Sequence, residues 1–213
     1  MCAPLHSMLS PDDPDPRVRP LIHTVQLGDV TPQPWKNGGG STRELLAWPA
    51  ADSWLLRVSV AHIGRDGPFS AFPGVDRWFA VLEGAGVALT LGTDQVQLTG
   101  ESQPLAFDGA LAPDCTLTSG DTHDLNLMVL RVRAQGAMTR AVIGVERRAA
   151  SRIRAVYTQE PAELHSADAA PLALPAGTLA WSSNARGVVW RLEAGDPAAR
   201  AWWIEVQPRE ETP

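Results

Sequence analysis

Apolar and polar residues along this chain repeat with the period of two that marks β-strands, and the repeats are short. Residues 21–27 set Ile22, Thr24 and Gln26 against His23, Val25 and Leu27, and residues 42–48 form a second segment. Residues 54–61 place Trp54, Leu56, Val58 and Val60 on one face and Leu55, Arg57, Ser59 and Ala61 on the other. Further strands are expected at 78–82, 87–91, 95–98, 105–107, 115–118 and 124–131. Turn signals such as Glu83-Gly84-Ala85-Gly86, Gly92-Thr93-Asp94 and Asp108-Gly109 separate them. No segment sustains the three-and-four apolar spacing of a capped helix. The pattern predicts an all-β sandwich or barrel with no helix beyond short turns.

Past Arg133 the alternation weakens. Residues 139–145 are a candidate strand, 158–171 read as a loop, and 174–181 as a turn leading into a strand. Residues 187–192 and 202–206 are expected to pair as a hairpin around Gly195-Asp196-Pro197. The organisation this implies is a disordered leader over 1–20, a first β domain over 21–136, and a second, smaller β half over 137–213 packed on the first.

One stretch breaks the alternation: Gln33-Pro34-Trp35-Lys36-Asn37-Gly38-Gly39-Gly40-Ser41-Thr42-Arg43-Glu44. Consecutive glycines allow left-handed backbone and close approach. Two cations, an amide, two hydroxyls and a carboxylate surround them. A phosphate loop is excluded, because there the lysine follows the glycines and opens a helix. A dinucleotide fingerprint fails for the same reason.

Composition narrows the function. The 213 residues include 18 Gly and 18 Pro, which favours many turns, and the net charge of −6 argues against a basic nucleic-acid surface. Two cysteines, Cys2 and Cys115, make no disulfide framework, so a reducing compartment is expected. Residues 1–20 lack the apolar core of a signal peptide, and no run approaches the ~18 apolar residues of a spanning helix. A cytoplasmic protein without membrane contact is the expectation.

Several blocks, taken in order, resemble the HutD/Ves family. They are Pro34-Trp35-Lys36-Asn37-Gly38-Gly39-Gly40, Thr42-Arg43-Glu44, Arg57-Val58-Ser59 and Gly67-Pro68-Phe69-Ser70. Phe72-Pro73-Gly74-Val75-Asp76-Arg77, Val81-Leu82-Glu83-Gly84, Phe107-Asp108-Gly109 and Asp124-Leu125-Asn126-Leu127-Met128 complete the set. The resemblance spans roughly residues 25–135. It implies a cupin-like jelly roll with a second, degenerate cupin half. It also implies a link to bacterial histidine utilisation or, for Ves, to stress responses. The ligand it suggests is a small acidic metabolite such as urocanate or a formylated glutamate derivative.

The side chains present decide which chemistry is open. Metal-binding cupins use histidines and a carboxylate, a donor set suited to first-row metals. Here His6, His23, His62, His123 and His165 are scattered, so no metal and no other cofactor is expected. His62 reads as a surface or capping residue and Glu83 as part of a hairpin turn. No nucleophile elbow or cysteine–histidine pattern is present. What remains suits an anion. Lys36, Arg43, Arg57 and Arg77 are cationic, Asn37, Thr42, Ser59 and Asn126 are hydrogen-bonding, and Phe72 and Met128 are wall candidates. Trp35, Gly38 and Gly39 of the loop complete the expected binding set. Arg57 stands out, since an arginine inside an apolar strand needs a partner, for which Glu44 and Asp76 are candidates. The leading expectation is a non-metal cupin that binds a carboxylate and acts as a sensor or modulator. The alternatives are a lyase, isomerase or hydrolase acting on such a metabolite, and a structural or partner-binding protein. A homodimer is left open.

Overall fold

The structure, a computed structural model, describes residues 21–167 and 169–209. The leader expected over 1–20, with Cys2 and His6, lies outside the described residues. Among the described residues nineteen strands follow one another. The first nine are β1 (His23–Gln26), β2 (Gln33–Pro34), β3 (Gly40–Trp48), β4 (Leu56–Ile63), β5 (Gly67–Pro68), β6 (Val75–Glu83), β7 (Val87–Leu91), β8 (Asp94–Leu98) and β9 (Leu105–Asp108). Then come β10 (Asp114–Leu117), β11 (Thr122–Leu130), β12 (Ala134–Arg140), β13 (Glu146–Arg148) and β14 (Ile153–Thr158). The last five are β15 (Ala162–Ser166), β16 (Leu172–Leu174), β17 (Thr178–Ser182), β18 (Val189–Glu193) and β19 (Ala201–Pro208). Among the described residues the only helical turns are short 3-10 segments at Leu27–Asp29 and Gly109–Leu111.

The strands build four sheets, ordered β5-β10-β7-β8, β2-β3-β4-β11-β6-β9, β1-β17-β14-β19-β12 and β13-β18-β15-β16. Their apolar clusters stack them as four layers. Ile63, Phe79 and Val81 of the second sheet meet Val87, Leu89, Leu98 and Cys115 of the first, forming the interior of a first barrel. Val156, Ala180 and Trp203 of the third sheet meet Leu164, Leu174, Trp190 and Leu192 of the fourth, forming a second. Back to back between the barrels lies the largest cluster. There Val58, Val60, Leu125 and Leu127 pack on Ile153, Tyr157, Trp202 and Ile204. The fold is thus all-β, a bicupin with two jelly-roll halves.

The third sheet is covered on both faces, which explains why its strands do not alternate. In β19, Trp202, Ile204 and Val206 enter the central cluster while Ala201 and Trp203 enter the second barrel. Every residue of β14 is buried. A strand between two apolar layers has no solvent face to mark with polar residues. Each such buried side chain contributes about 1.5–3 kcal/mol relative to exposure.

The halves exchange strands. β1 pairs with β17, so the first strand completes the second half's sheet. β12 spans the 136/137 division and pairs with β19. Three local expectations are corrected. Residues 187–192 and 202–206 are not a hairpin, because β18 pairs with β13 and β15 while β19 pairs with β12 and β14 in a different layer. The loop expected over 158–171 contains β15, whose Leu164 is buried between Glu163 and His165. The strand expected over 139–145 ends at Arg140.

Candidate functional site

The glycine loop is a compact knot. Gly38 takes φ +68°, and Asn37 Oδ1 accepts from the Gly39 amide at 3.0 Å. Trp35 is tied twice: its backbone N–H donates to Gly40 O at 2.9 Å and its indole N–H to Thr42 Oγ1 at 2.7 Å. A Cβ on Gly40 would lie 2.1 Å from the His62 carbonyl oxygen. Glycine is required there by contact rather than by torsion.

Downstream of the loop, β3 carries a bulge between Glu44 and Leu46. The extra residue sends both Leu45 and Leu46 into the central cluster. Thr42 and Glu44 are left level with Ala61 and Ser59 of β4, on the opposite face of the sheet. Strand parity then assembles rows across the first-barrel face. Arg57, Met128 and Arg77 are direct neighbours on β4, β11 and β6; Ser59, Asn126 and Phe79 form the next row, and Ala61, Asp124 and Val81 the third.

Above these rows lies a cavity of about 510 Å³. It is lined by Pro34, Trp35, Lys36, Asn37, Thr42, Arg57, Ser59, Ala61, Pro68, Phe69, Ser70, Phe72, Arg77, Asp124, Asn126 and Met128. Of the expected set, ten residues meet there: Trp35, Lys36, Asn37, Thr42, Arg57, Ser59, Phe72, Arg77, Asn126 and Met128. Gly38 and Gly39 shape the loop without lining the cavity. Arg43 is level with Val60, on the core face, and its guanidinium donates to Leu27 O at 3.4 Å. Missing from the expected set is Asp124, whose parity with Asn126 and Met128 was the available signal. Phe69 and Ser70 reach the wall only through the course of the loop around β5, which no local pattern shows.

Two arginines behave differently. Arg57 keeps about a quarter of its side chain exposed and holds Glu44 at 2.6 Å through Nε, an ion pair without hydrogen-bond alignment. Asp76, the other candidate partner, instead pairs with Arg131 at 2.7 Å. Arg77 is only 6% exposed and is ringed by Phe69, Phe72 and Phe107, with centroids 5.5, 5.6 and 5.1 Å from its guanidinium carbon. Its Nη2 donates to Asn126 Oδ1 at 2.8 Å, while Nε and Nη1 have no partner among the described residues. Burial pulls its pKa down to about 10, so it stays cationic at neutral pH.

Asn126 in turn donates to Asp124 Oδ1, and Asp124 Oδ2 has no partner among the described residues. Burial pushes the Asp124 carboxyl up to about 8, against the pull of Arg77 and Asn126. The cavity therefore offers apolar walls, a caged cation with free N–H groups, and a buried acid. Such sites suit small ligands with few convergent polar groups.

His62 lies at the barrel end on the core-facing side of β4, 2.8 Å from Asp121, and its ring is 5.0 Å from that of His123. His123 approaches Glu83, which also accepts from Gln159 of the second half at 2.7 Å. Among the described residues no group of three or more His, Cys, Asp or Glu is placed to hold a metal ion. None of their helices is long and apolar enough to cross a membrane.

The sequence matches the HutD family over residues 28–200. The chain belongs to the HutD family. It is 38% identical over 103 residues to Protein Ves of Citrobacter koseri, covering 47% of this chain and 54% of that protein. It is 34% identical over 109 residues to a 21.2 kDa protein in the hutC 3′ region of Pseudomonas putida, covering 50% of this chain and 57% of that protein. The chain thus spans little more than half the length of these two relatives. HutD from Pseudomonas fluorescens SBW25, solved in a formate condition, superposes with a TM-score of 0.78 at 26% identity, covering 89% of this chain and 100% of that one. A variant of Bacillus subtilis oxalate decarboxylase superposes with a TM-score of 0.60 at 9% identity, over 95% of this chain and 81% of that one, a likeness of fold alone.

Proposed function

We propose that this HutD-family chain binds a small carboxylate-bearing metabolite in the first-barrel cavity, and that the bound state modulates histidine utilisation. The observation that carries this reading is Arg77, a buried cation beside the cavity with two N–H groups unpartnered among the described residues. A guanidinium with unpartnered nitrogens in an apolar cage is matched by an anionic group such as a carboxylate, which accepts charge-assisted hydrogen bonds. Lys36, Asn37 and Arg57 supply further polar contacts to the rest of such a ligand. The location of the P. putida relative in a hutC region supports candidates from histidine breakdown, urocanate and N-formylglutamate. A cytoplasmic setting accompanies this reading.

The test is calorimetric titration of the protein and of Arg77→Met with urocanate and N-formylglutamate. One of the two is expected to bind wild type and to bind the variant at least tenfold more weakly; failure of both to bind wild type overturns the proposal. One observation favours turnover as a second reading: Asp124, an acid titrating near neutrality beside the cavity, has the character of an acid–base group. Loss of urocanate absorbance on incubation with wild type, absent in Asp124→Asn, would mark the chain as an enzyme.

A further inference from the structure

Lysine and arginine carry the same charge, and on a solvated surface either one serves. This chain uses arginine almost throughout. Seventeen of its 18 lysine and arginine residues are arginines, and its one lysine, Lys36, stands at the wall of the first-barrel cavity. Arg57 and Arg77 line the same cavity, so charge alone is met there by arginine. What a lysine adds is a primary amine, whose neutral form is a nucleophile, whereas a guanidinium in a protein keeps its proton.

The backbone that carries Lys36 is fixed. Lys36 and Asn37 are the central residues of a turn closed by the Gly38 amide, which donates to Trp35 O at 3.0 Å. Trp35 is anchored in turn by Thr42 and Gly40, and its ring packs edge-on to that of Phe69, with centroids 6.4 Å apart. Thr42 is level with Ala61 of β4, and the Gly64 amide donates to Gly39 O at 2.9 Å. The turn therefore stands at the Ala61 end of the cavity. Arg57, Met128 and Arg77 form the row at the other end. Along β4, Ala61 and Arg57 are four residues apart, roughly 13 Å of strand. Lys36 and Arg57 both line the space between, so an amine and a guanidinium address one ligand from opposite ends.

We propose that the ligand is an oxo acid, with its carboxylate at the arginine row and an aldehyde or ketone at its far end, and that Lys36 holds it as an imine. The Lys36 nitrogen bonds to the carbonyl carbon, and the carbonyl oxygen leaves as water with the two protons of the neutral amine. Hydrolysis reverses the step. The inference rests on the carboxylate reading of the cavity and adds a second functional group, set several carbons from the first. An acid without a carbonyl meets only a solvated ammonium at this end.

Succinic semialdehyde is the probe, trapped on the full chain with cyanoborohydride at pH 8 and located by peptide mass. One adduct on Lys36 is expected, its rate saturating with probe concentration and at least tenfold above that of free Nα-acetyllysine. Formate should compete with it, and Arg57→Met should raise the half-saturating concentration about tenfold. Lys36→Arg keeps the charge and should give no adduct, while still binding formate in calorimetry. A Lys36 adduct that grows linearly with probe, at the rate of the free amine, overturns the imine; if wild type binds formate, the carboxylate site still stands. Saturation indifferent to formate and to Arg57→Met overturns the arrangement with opposed ends. Neither saturation nor formate binding overturns the imine and the carboxylate reading together.

Discussion

Each barrel is built around a buried arginine, and the two are closed differently. In the second barrel Arg154 is fully buried, its Nη1 donates to Arg147 O at 2.7 Å, and its Nη2 meets Glu205 at 2.9 Å. Trp190 and Trp203 stack over it, at 5.6 and 5.1 Å. In the first barrel Arg77 has phenylalanine rings in place of tryptophans and an amide in place of the carboxylate. Trp190 and Trp203 belong to the apolar core that fills the second barrel. In the first, the partner of the cation is an amide without charge, beside about 510 Å³ of space. The same physical device, a cation caged by aromatic rings, has its counter-charge built in at Arg154 and is held by an uncharged amide at Arg77.

The comparison can be broken most severely from the Arg154 side. Arg154→Met leaves Glu205 with only the 3.4 Å contact to Arg147 and should cost about 3–5 kcal/mol of stability, read by chemical denaturation. A loss below 1 kcal/mol would show that Glu205 finds water and that the two arginines are less different than their partners imply.

Asp124→Asn sharpens the contrast through pH. The folded carboxyl titrates near 8 and the unfolded one near 3.8, so the native state alone holds the proton between these values. Its contribution to wild-type stability is full below pH 4 and is lost as pH rises through 8. The variant lacks this loss. Its melting temperature relative to wild type should climb from pH 4 to pH 8, by at most about 1.4 kcal/mol of stability per pH unit. A constant difference across that range would mean that Asp124 is ionised when folded.

Binding separates the first-barrel cations from one another. Once a carboxylate ligand is in hand, Arg77→Met should weaken it by about 2–4 kcal/mol, the scale for truncating one member of a buried charged pair. Arg57→Met should cost less, about 1–2 kcal/mol, because its side chain is partly exposed and Glu44 already engages it. Lys36, on an exposed part of the loop, should contribute under 1 kcal/mol when replaced by Met. Titration calorimetry of the three variants tests the order. Equal losses for Arg57 and Arg77 would place the carboxylate between them.

Much of this was legible in the residues alone. Alternation places Arg57, Ser59 and Ala61 on one face of β4, and turn residues between short strands imply an all-β chain, because side-chain direction and turn geometry are local properties. The same parity carries Asp124 into the cavity with Asn126 and Met128. Other features are decided only when distant segments meet. β14 and β19 are covered on both faces, so nothing in their pattern tells which neighbour each takes, and the hairpin expected of β18 and β19 gives way to pairing in separate layers. Arg43 lies on the core face because β3 pairs residue for residue with β4 upstream of the bulge. Arg57 and Arg77 are both arginines in otherwise apolar strands, and no local signal ranks them. Two phenylalanines from the loop after β5 and one from β9 enclose Arg77, while a glutamate two rungs away on β3 reaches Arg57. Burial and partner choice are properties of the assembled sheet, because each depends on side chains that sequence distance keeps apart.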